Sequence, residues 1–151
     1  MDAEFLKAFP MGSVKILVVD DFEEFRRLVC SALQQGPEFQ VTLAPDGLEA
    51  VQKAKESQPD LILLDIGLPN LNGLEVARRV HALGPVRILF VSGLSDPEVV
   101  REALGLGAGY VHKEHAQSDL LLAIERVLEG KRFVRSDSEF REGADGLRSS
   151  L

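Results

Sequence analysis

The feature that most constrains this chain is an alternation, repeated five times, of a short apolar run with a longer amphipathic segment. Lys15-Ile16-Leu17-Val18-Val19 is a run of the buried-strand type. Residues 23–35 follow, with Phe25, Leu28, Val29, Ala32 and Leu33 at helical spacing before Gly36-Pro37 ends the helix. Val41-Thr42-Leu43 reads as a second strand. The next helix opens on Asp46 with Glu49 as a capping-box partner, runs to Ser57 and is closed by Pro59. Leu61-Ile62-Leu63-Leu64 is the third strand and the most apolar. Residues 73–83 form a third helix, with Leu74, Ala77, Val80 and Leu83 on one face and Gly84-Pro85 as its stop. Residues 86–91 give a fourth strand. Asp96-Pro97-Glu98 opens a fourth helix, with proline where the missing N–H breaks no helical bond. Tyr110-Val111 is a short fifth strand, and Leu120, Leu121, Ile124, Val127 and Leu128 mark a fifth helix with Gly130 as its C′ residue.

Strands alternating with helices at this spacing imply a parallel sheet covered on both faces. Right-handed crossovers leave few topologies, and the common one for five strands is 2-1-3-4-5. The expected fold is therefore α/β and flavodoxin-like, with five flanking helices. The 151 residues suit one domain, placed at 14–130. Residues 1–13 read as an N-terminal extension or cloning residues. Residues 131–151 are polar, with five basic and four acidic side chains, and read as a flexible tail or linker. A formal net charge of -7 and the lack of a clustered basic face argue against direct nucleic-acid binding. Nothing approaches the ~20 apolar residues of a membrane span, and residues 1–12 do not make a secretory signal. The single cysteine, Cys30, rules out an internal disulfide and fits a reducing, cytoplasmic setting; its place among apolar helix positions reads as core.

In an open parallel sheet, ligands bind beyond the carboxyl ends of the strands. Strand one ends in Asp20-Asp21, strand three in Asp65 and strand four in Ser92, while Lys113 follows strand five. Singly, each has a plain structural explanation as a turn residue, a helix cap or a solvated lysine. Together they converge on one pocket. Two unit charges 4 Å apart repel by roughly 4 kcal/mol at an effective dielectric of ~20, so three carboxylates there call for a proton or a cation. An all-oxygen site that keeps waters beside phosphate suits Mg²⁺. Lys113 offers a point charge to a phosphoryl oxygen and Ser92 a hydroxyl to another. One carboxylate then remains as a nucleophile that would form an acyl phosphate.

The strings Val18-Val19-Asp20-Asp21, Leu63-Leu64-Asp65-Ile66-Gly67-Leu68-Pro69, Asn72-Gly73, Val91-Ser92-Gly93 and Tyr110-Val111-His112-Lys113, in this order, resemble the receiver domain of two-component response regulators. The resemblance implies that Asp65 accepts the phosphoryl group. It implies that Asp21 binds Mg²⁺ directly, Asp20 mainly through water, and Gly67 through its carbonyl. Ser92 and Lys113 become the phosphate-sensing hydroxyl and lysine, and Tyr110 the aromatic that swings inward as the hydroxyl moves toward phosphate. A sensor histidine kinase or phosphotransfer protein would be the donor, and a homodimer would form through helix four, strand five and helix five. The string 109–113 is closest to receivers that precede helix-turn-helix domains. No such domain follows within the 151 residues, which implies a stand-alone receiver or a fragment of a larger regulator.

Three departures stand out. Many receivers place proline after the lysine through a cis bond; here Glu114 follows Lys113, and a trans bond is expected because a non-proline cis bond costs ~3 kcal/mol. The interval from Ser92 to Lys113 is about a residue short for the family, to be absorbed by Gly105, Gly107 and Gly109. His112 is expected to point away from Lys113 into an exposed, structural position. Two other classes share parts of this pattern. A pseudo-receiver would bind proteins without taking phosphate, which the complete Asp20, Asp21, Asp65, Ser92 and Lys113 set argues against. A haloacid-dehalogenase-type phosphatase needs a second acid two residues after its nucleophile, where Gly67 stands.

Overall fold

The computed structural model describes residues 13–35 and 39–136. Strand β1 (Val14–Val19) leads into helix α1 (Glu23–Leu33), β2 (Phe39–Ala44), α2 (Gly47–Ser57), β3 (Leu61–Leu64) and α3 (Gly73–Leu83). The chain continues through β4 (Arg87–Ser92), α4 (Pro97–Leu106), β5 (Gly109–His112), a 3₁₀ turn (Lys113–His115), α5 (Ala116–Leu128) and β6 (Phe133–Arg135). All neighbouring strands pair in parallel, in the order β2-β1-β3-β4-β5-β6. The expected 2-1-3-4-5 order stands, extended by one strand.

The central strand β3 is apolar and buried along its whole length, and β1 and β4 are buried except at Lys15 and Arg87, because each face there is covered, whereas the edge strand β2 is largely exposed. Leu17, Val19, Ile62, Leu64, Ile88, Phe90 and Tyr110 point into one core with residues of α2, α3 and α4. Val14, Ile16, Val18, Leu61, Leu63, Leu89, Val91 and Val111 point into the other with residues of α1 and α5. Each fully buried aliphatic side chain contributes about 1.5–3 kcal/mol of transfer free energy, which fixes the register against a one-residue slip. Local chemistry sets the helix starts. Asp46 accepts from Glu49 N at 2.9 Å, Asn72 from Glu75 N at 3.0 Å and Asp96 from Glu98 N at 2.9 Å. Helix α2 ends after Ser57 with Gln58 in the left-handed region.

The sixth strand corrects the expectation of a loose tail from residue 131 onward. Gly130, at φ +87°, turns the chain back along the sheet after α5. Phe133 then packs against one core and Val134 against the other. Arg132 donates to the Leu104 carbonyl at 2.8 Å, and Arg135 pairs with Asp119 at 3.3 Å. Two apolar residues inside a polar stretch are too short a run to register as a strand in the sequence. The outer edge of β5 is thus covered, so the surface expected to dimerise through helix four, strand five and helix five has β6 as its sheet edge. The Gly36-Pro37 stop, residues 1–12 of the expected extension and residues 137–151 of the tail lie outside the described residues.

Gly109 is what lets β6 approach: a Cβ there would lie 2.5 Å from the Phe133 carbonyl oxygen and 3.0 Å from Leu89 Cδ1. Gly109→Ala should therefore lower unfolding free energy by about 1–3 kcal/mol, the usual cost of overpacking. Hydrogen exchange should speed selectively at residues 133–135. Urea denaturation and exchange measured together check both; unchanged exchange there would contradict the pairing.

Candidate phosphoryl-acceptor site

Register alone gathers the polar residues at one edge. Val19 pairs with Leu64, Leu64 with Phe90, and Phe90 with Tyr110, forming one row across the sheet. Asp20 and Asp65 are each one residue beyond that row, Ser92 two and Lys113 three. Asp20 and Asp65 are buried, Asp21 is exposed, and a carboxylate oxygen from each lies within 4.8 Å of the others. Gly73 brings α3 against this edge, since a Cβ there would lie 2.1 Å from the Asp65 carbonyl oxygen. That contact explains the glycine at the start of a helix, where glycine is otherwise unfavourable.

Lys113 Nζ lies 2.7 Å from Asp20 Oδ2 and 3.3 Å from Asp65 Oδ2. Asp65 Oδ1 accepts from Gly67 N at 3.4 Å, and Asp20 Oδ1 from Phe22 N at 2.9 Å. Lys113 is the ion partner of Asp20 Oδ2, and among the described residues this buried oxygen accepts no further hydrogen bond. The Asp20 carbonyl accepts from Arg26 Nη1 at 2.7 Å. Neither Asp20 nor Asp21 caps α1; its N-cap is Phe22, which makes no side-chain cap.

Burial pushes the Asp20 carboxyl above its ordinary value; Lys113 and the Phe22 amide oppose the rise, and the nearby Asp65 adds to it. Burial pulls Lys113 down, but the Asp20 and Asp65 carboxylates more than reverse this and hold its ammonium above the ordinary lysine value. Both partners of one ion pair therefore shift upward. The lysine gains two anions, whereas Asp20 loses more water than one lysine replaces. A divalent cation would correct that imbalance. The donor set fits one: three carboxylates, one of them with a buried oxygen whose one partner among the described residues is the Lys113 ammonium.

The remaining expected residues lie beside this cluster. Ser92 is buried, and its Oγ accepts from Leu94 N at 3.4 Å. Tyr110 is fully buried and its hydroxyl donates to the Leu94 carbonyl. Tyr110 thus stands inward in this structure, tied to Ser92 through both backbone groups of Leu94. The Lys113–Glu114 bond is trans, as expected. His112 corrects another expectation. It is buried, pairs with Ser92 in the sheet register, and accepts at Nδ1 from Glu114 N at 3.1 Å. Cys30 is half-buried rather than core.

Sequence reasoning missed Phe22, Phe25 and Leu94. Phe25 counted only as a helix core position, yet Lys113 Nζ lies 4.5 Å from its ring centroid and 5.4 Å from that of Phe22. The one available signal was an aromatic immediately after paired acids.

Residues 16–125 match the family model described as the response regulator receiver domain. The chain is 38% identical over 111 residues to a protein-glutamate methylesterase/protein-glutamine glutaminase of Thermotoga maritima, covering 71% of this chain and 32% of that protein. It is 35% identical over 126 residues to the transcriptional regulatory protein DegU of Brevibacillus brevis, covering 82% of this chain and 53% of that one. The chain therefore spans about a third to a half of the length of these curated relatives. Among solved structures, the response regulator domain of Thermotoga maritima CheB matches with TM-score 0.72 at 31% identity, covering 78% of this chain and 97% of that one. A LuxR-family two-component response regulator from Aurantimonas sp. SI85-9A1 matches with TM-score 0.76 at 29% identity, covering 83% and 91%.

Because the folded pKa of Asp20 is raised, its contribution to stability is complete below the ordinary value of 3.8 and is lost as pH rises through the folded value. At neutral pH without metal the ionised group opposes folding. Asp20→Asn should then raise Tm in Mg²⁺-free buffer by a few degrees, where ~1 kcal/mol is about 4 °C for a domain of this size. Adding Mg²⁺ should stabilise wild type more than the variant. Calorimetry with and without Mg²⁺ checks this, and a variant less stable than wild type without metal would contradict it.

Proposed function

This chain belongs to the response regulator receiver domain family, and on that premise we propose that it is a phosphorylation-dependent switch that takes a phosphoryl group on Asp65. The supporting observation is the single ammonium of Lys113 set against both Asp20 and Asp65, with Asp21 completing a three-acid cluster. Of the three acids, Asp65 directly follows β3, the strand between β1 and β4, and so stands between the other acids and Ser92. It is the one best placed to share its neighbours with an incoming phosphoryl group.

The donor in this reading is a phosphohistidine of a sensor histidine kinase or phosphotransfer protein in the cytoplasm. An Asp65 carboxylate oxygen attacks phosphorus and an O–P bond forms. The P–N bond breaks, and the imidazole keeps its electron pair. Asp20, Asp21, Asp65 and the Gly67 carbonyl would hold Mg²⁺, which supplies charge against the phosphoryl oxygens. Lys113, already 3.3 Å from Asp65 Oδ2, follows the new charge to a phosphoryl oxygen. Ser92 Oγ turns toward another and weakens its hold on Leu94 N. Because Tyr110 donates to the same residue's carbonyl, the Leu94 backbone then passes the change to α4. The altered α4–β5–α5 side, with β6 at its edge, meets the next partner, which includes a second copy of this chain.

Incubation with acetyl phosphate and Mg²⁺ tests this reading. Intact mass should rise by one phosphoryl group in wild type, and not in Asp65→Ala or with excess chelator. Absence of any adduct on wild type would favour a phosphate-independent binding module instead. Ser92→Ala should still accept phosphate, but beryllofluoride should shift the amide resonances of residues 96–110 less than in wild type. Equal shifts in both proteins would remove Ser92 from the switch.

A further inference from the structure

Two phenyl rings flank the acid cluster, and one of them, Phe22, has no explanation in the packing of the fold. Phe22 is 64% exposed and belongs to neither core. It occupies the N-cap of α1, where aromatic side chains bring no capping bond and small polar residues are strongly preferred. Packing and helix formation therefore both disfavour a phenylalanine at this position. Phe25, one turn on, is half-buried against the α1–α5 core and lines a small cavity together with Asp20, Asp65 and Val91. What the two rings share is Lys113: its Nζ lies 5.4 Å from the centroid of Phe22 and 4.5 Å from that of Phe25. Both distances are within the ~6 Å over which an ammonium is attracted to a ring face.

We propose that Phe22 and Phe25 are positioning residues for Lys113, forming an aromatic bracket that keeps its ammonium at the acceptor carboxylate while the charges around it change. The inference rests on the reading of Asp65 as phosphoryl acceptor. Its physical content is a difference between two kinds of tether. Asp20 and Asp65 hold the ammonium only while their charge is available to it. A divalent cation bound by the same carboxylates competes for that charge and repels the lysine. The quadrupole of a phenyl ring is not consumed by the cation, so the bracket goes on holding Nζ close when the carboxylates hold it less. Lys113 then remains where a phosphoryl group bound for Asp65 would meet it, and less rotamer freedom is lost during transfer.

The test follows acetyl phosphate labelling of the intact chain by mass against time, at varied phosphodonor and varied Mg²⁺. Phe22→Leu and Phe25→Leu should each lower the maximal rate roughly 3-fold, and together about 10-fold, the range expected for partly exposed cation–π contacts. Half-saturating Mg²⁺ should stay within about 2-fold, since no metal ligand changes. Phe22→Tyr and Phe25→Tyr keep the ring face and should label at close to the wild-type rate. In a Lys113→Met background, removing the rings should cost nothing further. Phe22 is exposed, so Phe22→Leu carries the test even where Phe25→Leu disturbs the core. Wild-type rates in the leucine variants, or the same losses in the Lys113→Met background, would overturn the bracket while leaving Asp65 as acceptor. A wild-type chain that takes no phosphate would overturn the acceptor reading and the bracket with it.

Discussion

Three carboxylates share the carboxyl edge of the sheet with one ammonium, and the repulsion among the carboxylates, which that ammonium only partly offsets, is the constraint around which the rest is arranged. Burial makes the problem worse, because Asp20 gives up water that Lys113 alone does not replace. Such an arrangement costs stability in the absence of a cation and is tolerated only where the surrounding fold holds it in place. The two apolar cores supply that fold, and the parallel register sets the four polar positions within three residues of one row across the sheet. Chemistry sits at the edge because there alone a polar side chain can leave a strand that is buried on both faces.

The same geometry gives the site a route outward. Asp65 and Ser92 end adjacent strands, and Leu94, two residues after Ser92, bonds both Ser92 Oγ and the Tyr110 hydroxyl. Tyr110 lies in turn beside Val134 of β6 in the sheet register. A change felt at Ser92 therefore has a short connected path to α4 on one side and to the last described strand on the other. Its steps are hydrogen bonds to Leu94, the short backbone from Leu94 to α4, and the β5–β6 pairing.

Most of this was legible in the sequence, for reasons that differ by element. Continuous apolar runs such as Leu61-Ile62-Leu63-Leu64 announce strands covered on both faces, and the acids that end them announce the site. The caps at Asp46 and Asp96 were visible because capping is local chemistry. What was missed is tertiary. Phe133 and Val134 are too short a run to signal a strand, and they become one only because Gly109 leaves space beside β5. His112 was expected outside because strand alternation turns it away from Lys113, and alternation alone does not say whether the far side of a strand is covered. Phe25 reads as one more helix position, and nothing in its spacing reveals that its ring faces Lys113.

The central claim is that, of three clustered acids, Asp65 is the one that takes phosphate. Reduction of the labelled protein with borohydride converts a phosphorylated aspartate to homoserine, which fragment-ion mass spectrometry places in the sequence. The account predicts homoserine at position 65 alone, formed only when Mg²⁺ was present during labelling. Homoserine at position 20 or 21, or none in a protein whose intact mass shows phosphate, would contradict it.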